Sequence, residues 1–309
     1  NAIMRSALRE RDKIKIYQEE SPKTPLWLTE RWKAEWGENY INIENAHRVL
    51  SPPIDLCVKE DPLVWADKLN GYYISNKTVR LNNTSLISDL EGFESGDWWV
   101  QDYSSQIPAT LLNIKKGDEV LDLCAAPGGK TSQLVAMGAE VTSIDGNKKR
   151  IERLKENLSR LNYTSSIIHS DVRDFKSEKK WSKIILDAPC SSTGTLRRHP
   201  DIMHIKKEND IRSLEKLQSD LLLSSWKLLS ENGSLIYCTC SLEVEEGENQ
   251  IFKFIKENKD AEIERILPGE VSGLKELITE DGLLRIFPDH LSEIGGMDGF
   301  FIARLKKVS

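Results

Sequence analysis

The sequence predicts an α/β protein: a doubly wound, mainly parallel sheet preceded by a smaller α+β module. Three observations predict it. From Val120 onward, short apolar runs alternate regularly with helical stretches, the rhythm of strand–helix–strand units. The first of these runs, Val120-Leu-Asp-Leu123, gives way to Pro127, Gly128 and Gly129 before a helix, a construction that binds nucleotide-like ligands at the carboxyl end of a parallel sheet. Finally, successive strands end in an acidic residue or a cysteine, and such ends converge on one edge of the sheet.

Taken in order, residues 1–25 open with Ile3, Ala7 and Leu8 on one helical side, as expected for the remnant of an upstream helical domain. Pro22 and Pro25 interrupt it. Trp32 and Trp36 then fall one helical turn apart before Gly37, a spacing that predicts core rather than a ligand platform. Short apolar runs at Ile54–Val58, Val64–Leu69, Tyr72–Ile74 and Leu86–Ile87 set the small α+β module at residues 26–92, with the larger domain at residues 93–309. A helix over Ser104–Leu112 leads into the central strand.

Beyond it, a helix at Ser132–Met137 precedes a strand, Glu140–Ile144, closed by Asp145. A charged helix, Lys148–Leu161, precedes a strand, Ser166–His169, closed by Ser170 and Asp171. The strand Lys183–Leu186 runs into Asp187-Ala-Pro-Cys190. After a long loop come a helix (Ile211–Leu229), a turn at Asn232-Gly233 and a strand (Ser234–Tyr237) running into Cys238-Thr-Cys-Ser241. A helix (Glu246–Lys256) and a hairpin-like pair, Leu283–Phe287 with Gly299–Leu305, complete the pattern.

With 30% charged and 39% hydrophobic residues among 309, the chain reads as a soluble globular protein. No apolar run approaches the ~18 residues of a membrane helix, and no signal-peptide pattern opens the chain, so a cytoplasmic protein without membrane contact is expected. Five cysteines make no even framework and are expected as free thiols. The sequons at Asn76, Asn83 and Asn162 are then statistical accidents. A net charge of −6 argues against a general nucleic-acid binder unless a local basic patch overrules it.

Such a patch follows Cys190, where Arg197, Arg198, Lys206 and Lys207 outnumber Asp201. Placed beside the strand ends, Arg197, Arg198 and His199 are candidate phosphate contacts. The alternative is a solvated face. Asp145 is placed to bind the hydroxyls of a ribose or to cap the next helix, and Asp171 to take a donor from an adenine or cap the following segment. The motif has neither the full Gly-x-Gly-x-x-Gly spacing nor a Walker lysine, so an adenosyl group with a small charged tail fits better than a dinucleotide or triphosphate. Cys190 and Cys240, each where a strand yields to a loop, are candidate nucleophiles. A zinc site from Cys190, Cys238, Cys240 and His199 lacks any Cys-x-x-Cys pair and no metal is expected; a redox pair is equally weak. Cys57 and Cys238 fit inert buried cysteines.

Four segments then carry a resemblance: Asp122-Leu-Cys-Ala-Ala-Pro-Gly-Gly-Lys-Thr131; Asp187-Ala-Pro-Cys-Ser-Ser-Thr-Gly194 with Arg197-Arg-His-Pro200; Tyr237-Cys-Thr-Cys-Ser241; and Gly296-Met-Asp-Gly-Phe-Phe-Ile-Ala303. Together they resemble the Sun/Fmu family of S-adenosyl-L-methionine-dependent RNA cytosine-C5 methyltransferases, whose catalytic domain is Rossmann-like. The front residues resemble the last helix of the NusB-like domain of the bacterial members that act on small-subunit (16S) ribosomal RNA. The resemblance implies that Cys124, Ala125, Ala126, Pro127, Gly128, Gly129 and Lys130 form the cofactor loop, that Asp145 meets the ribose and Asp171 the adenine side, and that Asp187 lies near the methionine end and the target base. It implies Cys240 as nucleophile and Cys190 as the thiol that assists release.

Two thiols make chemical sense, because cytosine C5 is too poor a nucleophile unaided. A thiolate adding to C6 pushes electron density onto C5. The C5 proton must later be removed before the thiol leaves. The base must also quit its stack, so single-stranded or loop RNA is the expected substrate. Two rival readings, a methyltransferase for a non-RNA substrate and an RNA-binding assembly factor on the same fold, have no need of both thiols.

Overall fold

The computed structural model describes residues 24–48, 51–81 and 86–308, with Ser6, Arg9 and Glu10. The remnant expected over residues 1–25 lies almost wholly outside them, as do Pro22 and Asn83. Helices α1 (Leu26–Trp36) and α2 (Tyr40–His47) come first. Trp32 is buried and donates from Nε1 to Glu243 at 3.0 Å, so the tryptophan spacing does make core. That core belongs to the larger domain. Leu28, Trp32 and Ile43 pack with Leu196, Ile202, Met203 and Leu242.

The module proper contains β1 (Ile54–Val58), α3 (Pro62–Lys68), β2 (Tyr72–Tyr73), β3 (Thr78–Leu81) and β4 (Trp98–Val100). Asp61 caps α3 by accepting the Leu63 N–H, and Pro62 starts it where no donor is needed. The four strands make an antiparallel sheet in the order β2-β3-β1-β4. Leu56, Val58, Trp65, Val79, Leu81 and Trp98 are its own core. The sheet thus runs past residue 92. β4 is too short for alternation to reveal, and only its pairing with β1, Leu56 opposite Val100, places it.

The larger domain runs α4 (Tyr103–Thr110), β5 (Glu119–Leu123), α5 (Gly129–Ala136), β6 (Glu140–Asp145), α6 (Lys148–Arg160), β7 (Ser166–His169) and β8 (Trp181–Asp187). There follow α7 (Ile202–Ile205), α8 (Glu208–Leu228), β9 (Leu229–Thr239), α9 (Glu248–Glu257), β10 (Ala261–Ile263), β11 (Leu284–Ile286) and β12 (Phe300–Lys307). The sheet order is β10-β12-β9-β8-β5-β6-β7, with β11 beside β12. Pairing is parallel from β7 to β9 and antiparallel around β12.

Strand alternation splits the interior in two. Leu121, Leu123, Ile184, Leu186, Leu235 and Tyr237 face a core closed by Leu221 and Trp226 of α8 and Ile251 of α9. Their neighbours Val120, Ile185 and Ile236 face Ile107 of α4 and Leu134 of α5. A sheet buried on both faces is the doubly wound arrangement the apolar runs predict. Because β5 lies between β6 and β8, the strand order reverses there, and a crevice opens at the carboxyl ends of these strands.

The differences from expectation are at element ends. The helix expected from Ser132 begins at Gly129, and that expected from Ile211 begins at Glu208. β9 passes through Asn232-Gly233, where a turn was expected; a register shift opposite Trp181 and Lys183 absorbs these residues as an irregularity.

Candidate active site

The loop after β5 is set by backbone geometry. Cys124 adopts φ 59° and Gly128 φ 105°, the latter at the cap of α5. A Cβ on Gly128 would stand 2.4 Å from Leu154 Cδ1 of α6. The glycine therefore accommodates a left-handed backbone and a neighbouring helix of the protein itself. Asp145 ends β6 almost fully buried; its Oδ2 accepts the Ala126 N–H at 3.2 Å and its Oδ1 the Asn147 N–H at 2.8 Å. It ties the loop to β6. The cap of α6 falls to Asn147, which accepts from Lys149 and Arg150. Asp171 follows β7 and is gripped by the Arg173 side chain through two hydrogen bonds of 2.9 and 2.6 Å.

Asp187, at the end of β8, accepts from Lys130 at 2.7 Å. Burial alone would lower the Lys130 ammonium, but Asp187 outweighs it and the lysine stays charged. The buried Cys238 thiol donates toward Asp187 at 3.6 Å. Burial, reinforced by Asp187, pushes that thiol well up, so Cys238 is inert. Cys57 and Cys124 are likewise driven up by burial.

Cys190 and Cys240 are brought together, Sγ to Sγ, at 3.4 Å. The bond between them treats the two differently. It lowers Cys240 against the opposing effect of burial, and it raises Cys190, which burial raises further. Ser192 Oγ lies 3.5 Å from Cys240 Sγ. The arrangement makes Cys240 the more readily ionised of the two thiols and Cys190 the one that keeps its proton, which suits Cys240 to act as a sulfur nucleophile.

A cavity of about 580 Å³ joins these parts, with Cys240, Lys130, Asp187 and Phe300 on its walls and Trp99 of the small module opposite. Asp122 of β5 is fully buried and also borders it. Thr131 donates to its Oδ2, while Oδ1 has no partner among the described residues, and burial pushes the carboxyl up to about 7.

The basic loop behaves otherwise than its charge suggests. The Arg197 side chain is 1% exposed and pairs with Asp102 at 2.8 Å and Asp298 at 2.6 Å. Arg198 meets the same two carboxylates at 2.6 and 3.1 Å. Arg197 is thus withdrawn from solvent, which corrects its assignment as a phosphate contact. Arg198 and His199 do border the cavity. Despite burial, the two arginines hold the Asp102 carboxyl well below the usual range, whereas burial, with Asp102 adding to it, pushes Asp298 up to about 6. Among the described residues, no three His, Cys, Asp or Glu are grouped to hold a metal ion.

Sequence reasoning missed Asp102, Asp298 and Glu246 as parts of this site. Asp102 carried a signal as the residue before Tyr103-Ser104, where it caps α4 by accepting the Ser104 N–H. Asp298 lay inside a recognised segment without a role. Glu246 is one acid in a run of them, and nothing in the sequence marks it.

The chain is similar to known proteins over most of its length. The sequence model of the family described as 16S rRNA methyltransferase RsmB/F matches residues 109–306. Ribosomal RNA small subunit methyltransferase B of Photorhabdus laumondii is 38% identical over 298 residues, 92% of this chain and 66% of that protein. Its namesake in Erwinia tasmaniensis is 33% identical over 325 residues, 99% of this chain and 72% of that one. The crystal structure of PH0851 superposes with a TM-score of 0.84 at 26% identity, covering 92% of this chain and 66% of that chain. NSun6 from Pyrococcus horikoshii, solved with SFG, shares the fold at a TM-score of 0.76 and 21% identity, over 92% of this chain and 98% of its own. The loop after β5, the paired cysteines and all but the last residue of β12 fall within the matched residues: this chain belongs to the 16S rRNA methyltransferase RsmB/F family.

Proposed function

We propose that this protein transfers a methyl group from S-adenosyl-L-methionine to C5 of a cytosine in RNA, with small-subunit (16S) ribosomal RNA as substrate. The observation that carries the reading is the thiol pair: Cys190 and Cys240 are 3.4 Å apart, and the lowered member faces the cavity that Asp187 and Lys130 also line. The names of the relatives supply the RNA. No helix of the described residues is long and apolar enough to cross a membrane, and a ribosomal RNA substrate puts the work in the cytoplasm.

The residues present fit the methyl donor. Asp122 Oδ1 is a buried acceptor without a partner at the cavity floor, a place for a donor such as an amino-acid ammonium. The loop from Cys124 to Lys130 holds the donor beside β5, with Asp145 at its ribose and Asp171 on the adenine side. S-adenosyl-L-methionine supplies an electrophilic methyl group. Cys240 adds to cytosine C6, Asp187 and Lys130 hold the base edge and stabilise charge developing there, and Cys190 assists release of the product by positioning a water that takes the C5 proton while the C6–S bond breaks and its electron pair returns to Cys240. Arg198 and His199 meet the RNA strand.

The test mixes Cys190→Ala with ribosomal RNA and S-adenosyl-L-methionine, then seeks a protein–RNA adduct that survives denaturation. An adduct is expected, and it should vanish in Cys190→Ala/Cys240→Ala. Methylation by Cys240→Ala at the parent rate overturns the reading.

A further inference from the structure

Glu246 is fully buried in the short turn before α9, and among the described residues no cation pairs with it. Its partners are neutral donors. Oε1 accepts the Ser191 N–H at 2.9 Å and Gln218 Nε2 at 3.0 Å, and Oε2 accepts the Ser191 N–H at 3.1 Å and the Ser191 hydroxyl. The hydroxyls of Ser191 and Ser241 in turn lie 3.1 Å apart. The backbone carbonyl of Glu246 accepts from Tyr237 Oη at 2.9 Å and Thr239 Oγ1 at 3.2 Å. Ser191 directly follows Cys190; Thr239 and Ser241 flank Cys240. One residue therefore reaches the neighbours of both thiols, although they come from two different strands.

Burying an uncompensated carboxylate is costly unless its oxygens are fully engaged. A chain that needed only packing at this point would be served as well by an apolar side chain. We infer that Glu246 is a positioning residue that fixes the separation of Cys190 and Cys240, an inference that rests on the methyltransferase reading for its purpose but not for its geometry. Burial raises the Glu246 carboxyl, against the hydrogen bonds from Ser191, Ser241 and Gln218 that favour its ionised form, and in that form its charge has a second consequence. Glu246 adds to the bond with Cys240 and to burial in keeping the Cys190 proton in place. Cys240 is faced by Cys190 and Asp187 from β8 and the loop after it, by Lys130 from α5 and by Ser192. Among these, only the Cys190 loop is held by the Glu246 carboxylate.

The test is the pH dependence of alkylation by iodoacetamide, read separately at Cys190 and Cys240 by mass spectrometry, in the parent chain and in Glu246→Gln. It needs neither RNA nor methyl donor, so it stands or fails apart from the proposed reaction. Loss of the charge lowers Cys190 and loss of its placement raises Cys240, so the two midpoints are expected to converge. Adduct formation with RNA should fall about 10- to 100-fold, as for a misplaced reacting group, with S-adenosyl-L-methionine affinity unchanged within about twofold by calorimetry. A lower melting temperature with both midpoints in place means a purely structural pin and overturns the inference, as does no change at all. Ser191→Ala, which removes only the hydroxyl between Glu246 and Ser241, answers the same question if Glu246→Gln does not fold: a smaller convergence supports the role, and unmoved midpoints overturn it. If the midpoints converge but the parent chain methylates no RNA, the proposed reaction is wrong and the positioning role survives.

Discussion

Cys190 and Cys240 are fifty residues apart in sequence and 3.4 Å apart at their sulfurs, and each changes the other's proton affinity in the opposite direction. Cys190→Ala removes the donor that favours the Cys240 thiolate. The Cys240 titration midpoint should therefore rise, and every unit of rise cuts the thiolate fraction at neutral pH about tenfold. Stopped-flow absorbance of the thiolate across pH reads this directly. An unmoved midpoint would show that Cys190 does not donate to Cys240.

Lys130 is buried against Asp187, and each is the other's charge partner. Asp187→Asn strips Lys130 of its counter-charge and the cavity of its carboxylate. Methyl transfer, followed with a labelled donor, should drop by roughly 100-fold or more. Lys130→Met should fail in the same assay. A variant of either kind with parent activity removes this pair from the reaction.

Arg197 and Arg198 share Asp102 and Asp298, but one side chain is 1% exposed and the other 19%. Removing one partner of a buried pair typically costs ~3–5 kcal/mol. Denaturant unfolding of Arg197→Met should show a loss of that order, and Arg198→Met a clearly smaller one. Equal losses would mean that exposure does not separate their roles.

His47 is buried against Trp32, with neither ring nitrogen partnered among the described residues, and burial followed by the charge of Arg197 brings it down to about 3. Below the unfolded value of about 6.5 the unfolded chain takes up a proton that the folded chain refuses. This contribution is fully present above about 6.5 and is lost as pH falls toward 3, with a slope of at most ~1.4 kcal/mol per pH unit. Stability measured from pH 7 to pH 4 should fall less steeply in His47→Leu. Identical slopes would show that His47 takes up its proton in the folded chain as well.

The parallel strands were legible because burial on both faces writes itself as near-continuous apolar runs, Ile184–Leu186 and, broken only by Asp122, Val120–Leu123. Their acidic and cysteine ends were legible for the same reason, since a strand's end fixes where its next residue lies. The small sheet's last strand was not, because Trp98–Val100 gains its identity from pairing with β1. Nor were the roles of Arg197, Asp102 and Asp298. In sequence Arg197 is one cation in a basic run; only the meeting with carboxylates about a hundred residues away on either side makes it an interior group. Helix α1 reads as part of the module, yet its apolar face is completed by Leu196 and Leu242.

The cavity takes its walls from Asp55 and Trp99, from Lys130 and Asp187, and from Asp298 and Phe300, stretches separated by most of the described chain. Contacts of such separation form late in folding, because long loops must close before they can be made. No excised segment carries this pocket, and a small molecule that fills it stabilises the whole chain against unfolding. A ligand of this pocket therefore reads the completed fold, because a copy in which any one of the three stretches is undocked offers it no complete wall.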